Sequence, residues 1–391
     1  MKFLSILFTC FSLAFSLTFA ESNPRARDLG VPFDGTPGHW NAITDVKGVA
    51  VGHTTLISGN GKLQVGIGPV RTGVTAIIPD STDPFRPVFG AWYSQNGNGE
   101  MTGTAWLEES GMLTGPVMIT NTHSVGVVRD AVIAWWAKHA PEKHPDLHPE
   151  DDWFLPVVAE TWDGWLNDLN GFHVKPEHVF HALDSAATGP VAEGNVGGGT
   201  GMICNEFKGG IGTSSRLLDS RVGGYTVGVL VQCNYGTRSN LRIAGISVGK
   251  EIPKTPVKKD ETGSIIVVIA TDAPLLPTQL KRLVRRVPLA LGRLGSISGN
   301  GSGDLFIAFS TANPGIDAAP QSTVSMLPNA AMNPLFEAVV QATEEAVVNA
   351  MVAAKDMTGR DGHFVPALPH ERLRQLLEQY KRLEKPSPQS R

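Results

Sequence analysis

Cysteine is scarce in this chain: three in 391 residues, too few for the disulfide framework of a small secreted scaffold. Cys10 lies in the first twenty residues, so only Cys204 and Cys233 remain beyond them. Both sit in apolar runs, Met202-Ile203-Cys204 and Leu230-Val231-Gln232-Cys233, and read as two unpaired buried thiols. An excess of one charge is also lacking. With 33 basic and 37 acidic residues the formal charge is −4, which leaves no polybasic footprint for nucleic acid or an anionic membrane surface. No long apolar run follows the first twenty residues, so no membrane span is expected. The glycine run Gly197 to Gly201 lacks the Lys-Ser/Thr of a phosphate loop, and no Gly-x-Ser-x-Gly elbow stands between a strand run and a helix pattern. His144, His148, His173, His178 and His181 fall in Pro-rich or polar helical stretches without chelating spacing. Neither a metal nor another cofactor is expected.

What is present begins with Met1-Lys2-Phe3, an apolar stretch and a small-residue exit at Ala20. One positive charge, a short apolar core and a small-residue site have the form of a secretory leader, and predict a periplasmic or secreted protein. Beyond it no charged or Ser-rich linker divides the chain, which predicts one large domain. The 43 glycines exceed the average usage of about 7% and cluster between apolar runs, as tight turns around a site do.

β-like runs recur at Val49–Gly52, Gly73–Ile78, Val117–Thr120, Leu155–Ala159 and Thr226–Val231, several of them apolar without alternation. Such strands are covered on both faces. Helical patterns interleave at Val125–His139, Pro176–Leu183, Leu276–Arg286, Asn333–Lys355 and His370–Tyr380. The mixture predicts α/β layers, and strands buried on both faces suit a four-layer αββα sandwich better than an open barrel.

The most informative local feature runs from Lys250 to Ala270. A polar, proline-broken segment, Lys250 to Thr262, meets Gly263-Ser264 and passes at once into Ile265-Ile266-Val267-Val268-Ile269-Ala270. A solvated loop thus reaches a buried strand at one serine. An amino-terminal nucleophile needs such a junction: a segment able to leave, a glycine that permits a strained peptide, and a rigid strand to hold the new terminus. Read from spacing alone, Gly-Ser more often simply closes an ordinary loop.

Six segments taken together carry more. Arg27-Asp28-Leu29-Gly30, Asn41 to Val46, Asn121-Thr122-His123-Ser124-Val125-Gly126, Glu193 to Met202, Gly263-Ser264 and Asn300-Gly301-Ser302-Gly303-Asp304 resemble, in order, the β-peptidyl aminopeptidase and L-aminopeptidase D-esterase family. The resemblance implies autoproteolysis into a larger chain of about residues 21–263 and a smaller one of 264–391, held in one αββα domain and assembled as a tetramer of heterodimers. It implies Ser264 as nucleophile, with its own α-amino group as base; such an amine titrates near 7.7 to 8.0 and can take the hydroxyl proton at neutral pH.

By the same resemblance Ser302 and Asp304 relay and orient the proton near Ser264, and Asn234 offers its side-chain amide to the developing oxyanion. Glu160 receives the ammonium of a small peptide or amino-acid amide substrate. Trp162 departs from members with tyrosine there, exchanging a phenol for an indole N–H and a larger face. Two rivals stand beside this reading. One is a self-cleaving acyltransferase of the ornithine acetyltransferase type, against which Ser264 in place of threonine argues. The other is a periplasmic binding protein whose glycine loops shape a cleft without chemistry.

Overall fold

A computed structural model describes residues 24–148, 152–253, 263–314, 316 and 321–385. The leader-like residues 1–20 and most of the polar segment before Gly263 lie outside the described residues.

Two sheets form the centre. The smaller has four strands: β1 (Ala50–Ser58), β2 (Val70–Ile78), β5 (Val117–Asn121) and β6 (Val157–Thr161), in the order β1-β2-β5-β6. The larger contains β3 (Val88–Gly97), β4 (Met112–Leu113), β9 (Gly210–Leu217), β10 (Thr226–Asn234), β11 (Ser264–Thr271) and β12 (Gly303–Ser310), in the order β4-β3-β12-β11-β10-β9. A two-stranded hairpin, β7 (Ile203–Cys204) with β8 (Phe207–Lys208), precedes β9.

Strand periodicity sorts the layers. In β11 the residues Ile265, Val267 and Ile269 join one core, packed with α5 (Pro277–Val284), α6 (Val287–Arg293), α7 (Asn333–Val352) and α8 (His370–Gln379). Their neighbours Ile266, Val268 and Ala270 join a second core that also holds Ile77, Val117, Ile119 and Ala159 of the smaller sheet. Successive strand side chains point to opposite faces, so β11 is buried on both. The outer face of the smaller sheet, with Val74, Ala76, Met118 and Val158, packs on α2 (Val125–Lys143) and α3 (Pro176–Asp184) through Val128, Val132, Trp136 and Val179. The expected αββα sandwich is therefore present, and its doubly buried strands are why the apolar runs lacked alternation.

Local chemistry explains the helix ends. The Leu276–Arg286 pattern is interrupted: α5 stops at Val284, and α6 restarts at Val287 with Pro288 in its first turn, where proline lacks no needed hydrogen bond. Among the described residues no helix is long and apolar enough to cross a membrane.

The cysteine reading is corrected. Cys204 and Cys233 form a disulfide with an S–S distance of 2.00 Å. The β7–β8 hairpin folds back onto β10, and glycine at 209 permits it: a Cβ there would lie 2.5 Å from the Cys233 carbonyl oxygen and 2.7 Å from Cβ of Cys204. Apolar flanks correctly marked both residues as buried. The close approach of two segments 29 residues apart left no mark in either flank.

Candidate active site

Ser264 opens β11, between the last residue of β10 and the first of β12: it pairs with Asn234 in antiparallel register and with Gly303 in parallel register. The hydroxyl is buried and its Oγ accepts a hydrogen bond from the Gly303 amide at 3.1 Å. The preceding glycine permits a close backbone approach: a Cβ on Gly263 would stand 2.0 Å from the Asn234 carbonyl oxygen.

Ser302 and Asp304 flank Gly303. Ser302 Oγ donates to Asp304 Oδ1 at 2.5 Å, and both residues are buried. A register shift against β3 falls between Asp304 and Leu305; such irregularities re-aim side chains beside functional sites. Burial pushes the Asp304 carboxyl above its ordinary pKa, opposed by hydrogen bonds from Ser302, Ser298 and the Ile265 amide. Gly303, between these two residues, is the one whose amide donates to Ser264 Oγ.

Asn234 closes the other side. Its Oδ1 accepts from the Ile203 amide at 2.7 Å and its Nδ2 donates to the Trp162 carbonyl at 2.9 Å. A backbone donor on one side and a carbonyl on the other fix which end of the amide is which. The disulfide joins the residues next in sequence, Cys204 after Ile203 and Cys233 before Asn234, so it clamps both segments that orient this amide.

Glu160 comes from the other sheet, near the end of β6. It is 4% exposed; Oε1 accepts from the Glu100 amide at 3.0 Å and Oε2 from the Thr122 hydroxyl. Burial raises its pKa, with the Thr122 and Glu100 hydrogen bonds pulling the other way. Gly99 links it to the start of β12. A Cβ on Gly99 would be 3.3 Å from Glu160 Oε1 and 3.2 Å from Cα of Gly303, the residue hydrogen-bonded to Ser264. Gly99 is therefore the residue that lies between the Glu160 carboxylate and Gly303. Trp162 enters in a way the sequence did not indicate: its carbonyl holds Asn234, while its indole lies over Gly164, where a Cβ would meet Cζ2 at 2.6 Å.

Two buried polar residues behind the site were missed. Lys208 is fully buried and donates to the carbonyls of Met202 at 2.7 Å, Gly209 at 2.8 Å and Gly199 at 3.4 Å. Burial lowers its pKa to about 7, against the pull of Asp163. It ties the Gly199 carbonyl in the glycine run and the adjacent Met202 carbonyl to Gly209 beyond the hairpin. Gln232, also fully buried, points from β10 toward the smaller sheet. Gln232 is a lone long polar side chain in an apolar run, the signal the sequence offered; Lys208, two residues after Glu206, carried none.

The letters Gly-x-Ser-x-Gly do occur, at Gly245-Ile246-Ser247-Val248-Gly249. They follow a turn closed by mutual Ile243–Ile246 backbone bonds and lead into the four-residue helix α4 (Val248–Glu251); no sheet strand precedes Ser247, so no elbow forms. His173 bonds Asp168 and His144 bonds Asp83, each at 2.8 Å. Among the described residues no group of three His, Cys, Asp or Glu is placed to hold a metal.

The family model of peptidase family S58 matches residues 41–365. Beta-peptidyl aminopeptidase BapA of Sphingosinicella microcystinivorans is 55% identical over 381 residues, 93% of this chain and 94% of that protein. Among solved structures, a Burkholderia sp. beta-aminopeptidase superposes with a TM-score of 0.83 at 48% identity, over 91% of this chain and 99% of that one. The L-aminopeptidase D-Ala-esterase/amidase from Ochrobactrum anthropi, described as a prototype of the serine aminopeptidases and a variant of the Ntn hydrolase fold, superposes with a TM-score of 0.85 at 49% identity, over 92% of this chain and 99% of that one. Neither the acyltransferase nor the binding-protein reading finds support among these relatives. The chain belongs to peptidase family S58 and is an aminopeptidase hydrolase of the Ntn fold.

Proposed function

We propose that this chain cuts its own Gly263-Ser264 bond and then hydrolyses amino-terminal residues from short peptides, amides and esters through an acyl-enzyme on Ser264. The observation that carries the reading is the position of Ser264, a buried hydroxyl at the first position of a doubly buried strand with Asn234 on one side and Gly303 on the other.

In self-cleavage Ser264 Oγ attacks the Gly263 carbonyl carbon, and the peptide C–N bond breaks as the serine nitrogen takes a proton. Water then hydrolyses the ester, leaving a carboxylate on Gly263 and a free α-amine on Ser264. That amine, neutral in part near its ordinary pKa of about 7.7 to 8.0, next accepts the Oγ proton as Oγ attacks the substrate carbonyl. The second N–H of the Asn234 amide supplies a donor to the oxyanion, a contribution of about a hundred- to a thousandfold. The proton passes to the leaving amine, and water releases the acid by the same route reversed. Ser302 and Asp304 orient the hydroxyl and amine.

Glu160 recognises the substrate's ammonium. A buried carboxylate with two hydrogen-bond donors and, among the described residues, no salt-bridging cation is unfavourable until a cation arrives, which suits an exopeptidase. A β-amino substrate is favoured by the names of the relatives above. The periplasmic or secreted location is supported by the leader-like residues 1–20 and by a disulfide, which oxidising compartments sustain. A tetramer of heterodimers follows from the family resemblance. Amino-terminal sequencing of purified protein tests the core claim: the smaller chain should begin Ser-Ile-Ile-Val-Val. A single active chain with an intact Gly263-Ser264 bond would overturn it.

A further inference from the structure

Glu160 and Ser264 belong to different sheets, and the surface between those sheets is apolar: Ile77, Ile119 and Ala159 face Ile266, Leu305 and Ile307. Apolar contact is non-directional, so it resists separation of the sheets more than it fixes their sliding. Directional bonds across the interface are therefore informative where they touch the site. Gln232 Nε2 donates to the Thr120 carbonyl at 3.0 Å and to Thr161 Oγ1 at 2.9 Å. Thr120 is the β5 register partner of Glu160, and Thr161 follows Glu160 in β6. On its own strand Gln232 pairs with Ile266 and lies two residues before Asn234, so both side chains point to the same face. Asn234 Nδ2 reaches the Trp162 carbonyl. Strand β10 thus grips residues 161 and 162, directly after the carboxylate.

The surroundings of Gln232 are built to keep it there. Thr161 Oγ1, which accepts from Gln232, donates in turn to Met202 Sδ at 2.8 Å. Gly198 makes room for the amide, since a Cβ at 198 would stand 2.3 Å from Gln232 Oε1. A fully buried amide in an otherwise apolar stretch costs desolvation, and two bonds into the partner sheet at the recognition residue are what that cost supports.

We propose that Gln232 is a positioning residue: a strut that fixes the spacing between the Glu160 carboxylate and Ser264 Oγ, and thereby sets how many carbons the enzyme accepts between a substrate's ammonium and its scissile carbonyl. The inference rests on the reading of Glu160 as the ammonium receptor. One extra carbon lengthens that spacing by about 1.3 Å, while a misplacement of about 1 Å at a reacting centre costs on the order of a hundredfold. A rigid strut separates the two substrate lengths. A loosened one lets the sheets settle to either.

The test compares kcat/KM for the p-nitroanilides of 3-aminopropanoic and 2-aminopropanoic acid in wild type, Gln232→Met and Thr161→Val. Gln232→Met keeps the length and removes both donated bonds; Thr161→Val removes one acceptor and stands in if the first variant fails to fold. The expected result is a wild-type preference that shrinks by about tenfold in Gln232→Met and by roughly threefold in Thr161→Val, part of the hundredfold sensitivity above. The fraction of chains cut at Ser264 should not change. A wild type indifferent to the extra carbon, or folded variants that lower both substrates by one factor with the ratio intact, overturns the strut. Glu160→Gln separates the two failures. If it loses the advantage of free over amino-acetylated substrate while Gln232→Met leaves the ratio untouched, only the strut is wrong; if it loses nothing, the ammonium reading has failed first.

Discussion

The two sheets divide the work differently. The larger one carries Ser264, Asn234 and Asp304 on neighbouring strands tied by continuous backbone pairing. Their relative positions are fixed by main-chain hydrogen bonds and by packing on both faces. The smaller sheet brings Glu160 on a five-residue strand at the sheet's edge, and its place relative to the nucleophile depends on side chains that cross the interface. On the proposed function, chemistry falls to the sheet tied by continuous backbone pairing, and recognition to a strand whose place a few side chains set. Changes in the larger sheet should therefore alter whether the reaction occurs, and changes in the smaller one which substrate undergoes it.

The largest effect is expected from Ser264→Ala. It should leave one full-length chain and lower kcat by roughly ten-thousandfold or more, the scale on which nucleophile removal acts. Electrophoresis and anilide hydrolysis read both. A cleaved, active Ser264→Ala would move the chemistry out of the larger sheet altogether.

Glu160→Gln keeps the shape and removes the charge on the recognition side. A charge-assisted contact contributes about 1.5 to 3 kcal/mol, so kcat/KM for unblocked amides should fall roughly tenfold to a hundredfold, with self-cleavage intact. Its pH dependence sharpens the contrast. Because burial raises the Glu160 pKa, protonation on acidification removes the ammonium's partner at a pH above the ordinary glutamate range. KM should rise there in wild type and stay flat in Glu160→Gln, whereas protonation of the Ser264 amine lowers kcat in both. A wild-type KM that is also flat would leave the carboxylate a structural role.

Much of this architecture was legible because strands buried on both faces cannot hide. The run Ile265 to Ala270 announces its own burial, and the change from Lys-rich loop to that run marks the junction at Ser264. Interactions between distant segments were not legible. The Cys204–Cys233 bond depends on a hairpin returning to β10 through a glycine, and neither cysteine's neighbours record it. Neither Lys208 in its mixed polar hairpin nor Gln232 in its apolar run carries a mark that says whether it reaches carbonyls, another sheet or solvent. Trp162 was read for its ring, while its backbone carbonyl does the holding.

The disulfide offers an intermediate test, since it braces the larger sheet at the point where Asn234 is oriented. Closing a loop of this length stabilises a fold by about 2 to 4 kcal/mol, so a Cys204→Ala, Cys233→Ala double variant should unfold at correspondingly lower denaturant. If the bond also orients Asn234, kcat should fall while KM holds. Loss of stability with kcat unchanged would reduce the bond to a brace.

The smallest effect on catalysis is expected in the smaller sheet, at His53 on β1. The residue is half-buried, but its Nε2 is enclosed with no hydrogen-bond partner, while Nδ1 meets Thr75 Oγ1 at 3.0 Å. The glycine run closes over it, because a Cβ on Gly197 would lie 2.6 Å from Nδ1. A proton on this ring would place an unpaired charge inside the protein, and burial accordingly lowers its pKa from 6.5 to about 4. The unfolded chain therefore binds one more proton than the folded one between those two values. Stability is complete above the unfolded pKa and is lost as pH falls toward the folded one, with a slope of up to about 1.4 kcal/mol per pH unit for a single proton. His53→Gln keeps a polar contact to Thr75 and cannot titrate. Denaturant melts at successive pH values should show wild type losing more stability than the variant between pH 6.5 and 4, and the two curves running parallel above 7. Catalysis at neutral pH should hardly change, since His53 is neutral there and touches the glycine run rather than the nucleophile's strands. Parallel curves throughout would mean that water reaches the ring in solution, and that the smaller sheet is closed less tightly at its glycine-run end than the larger one is at its strands.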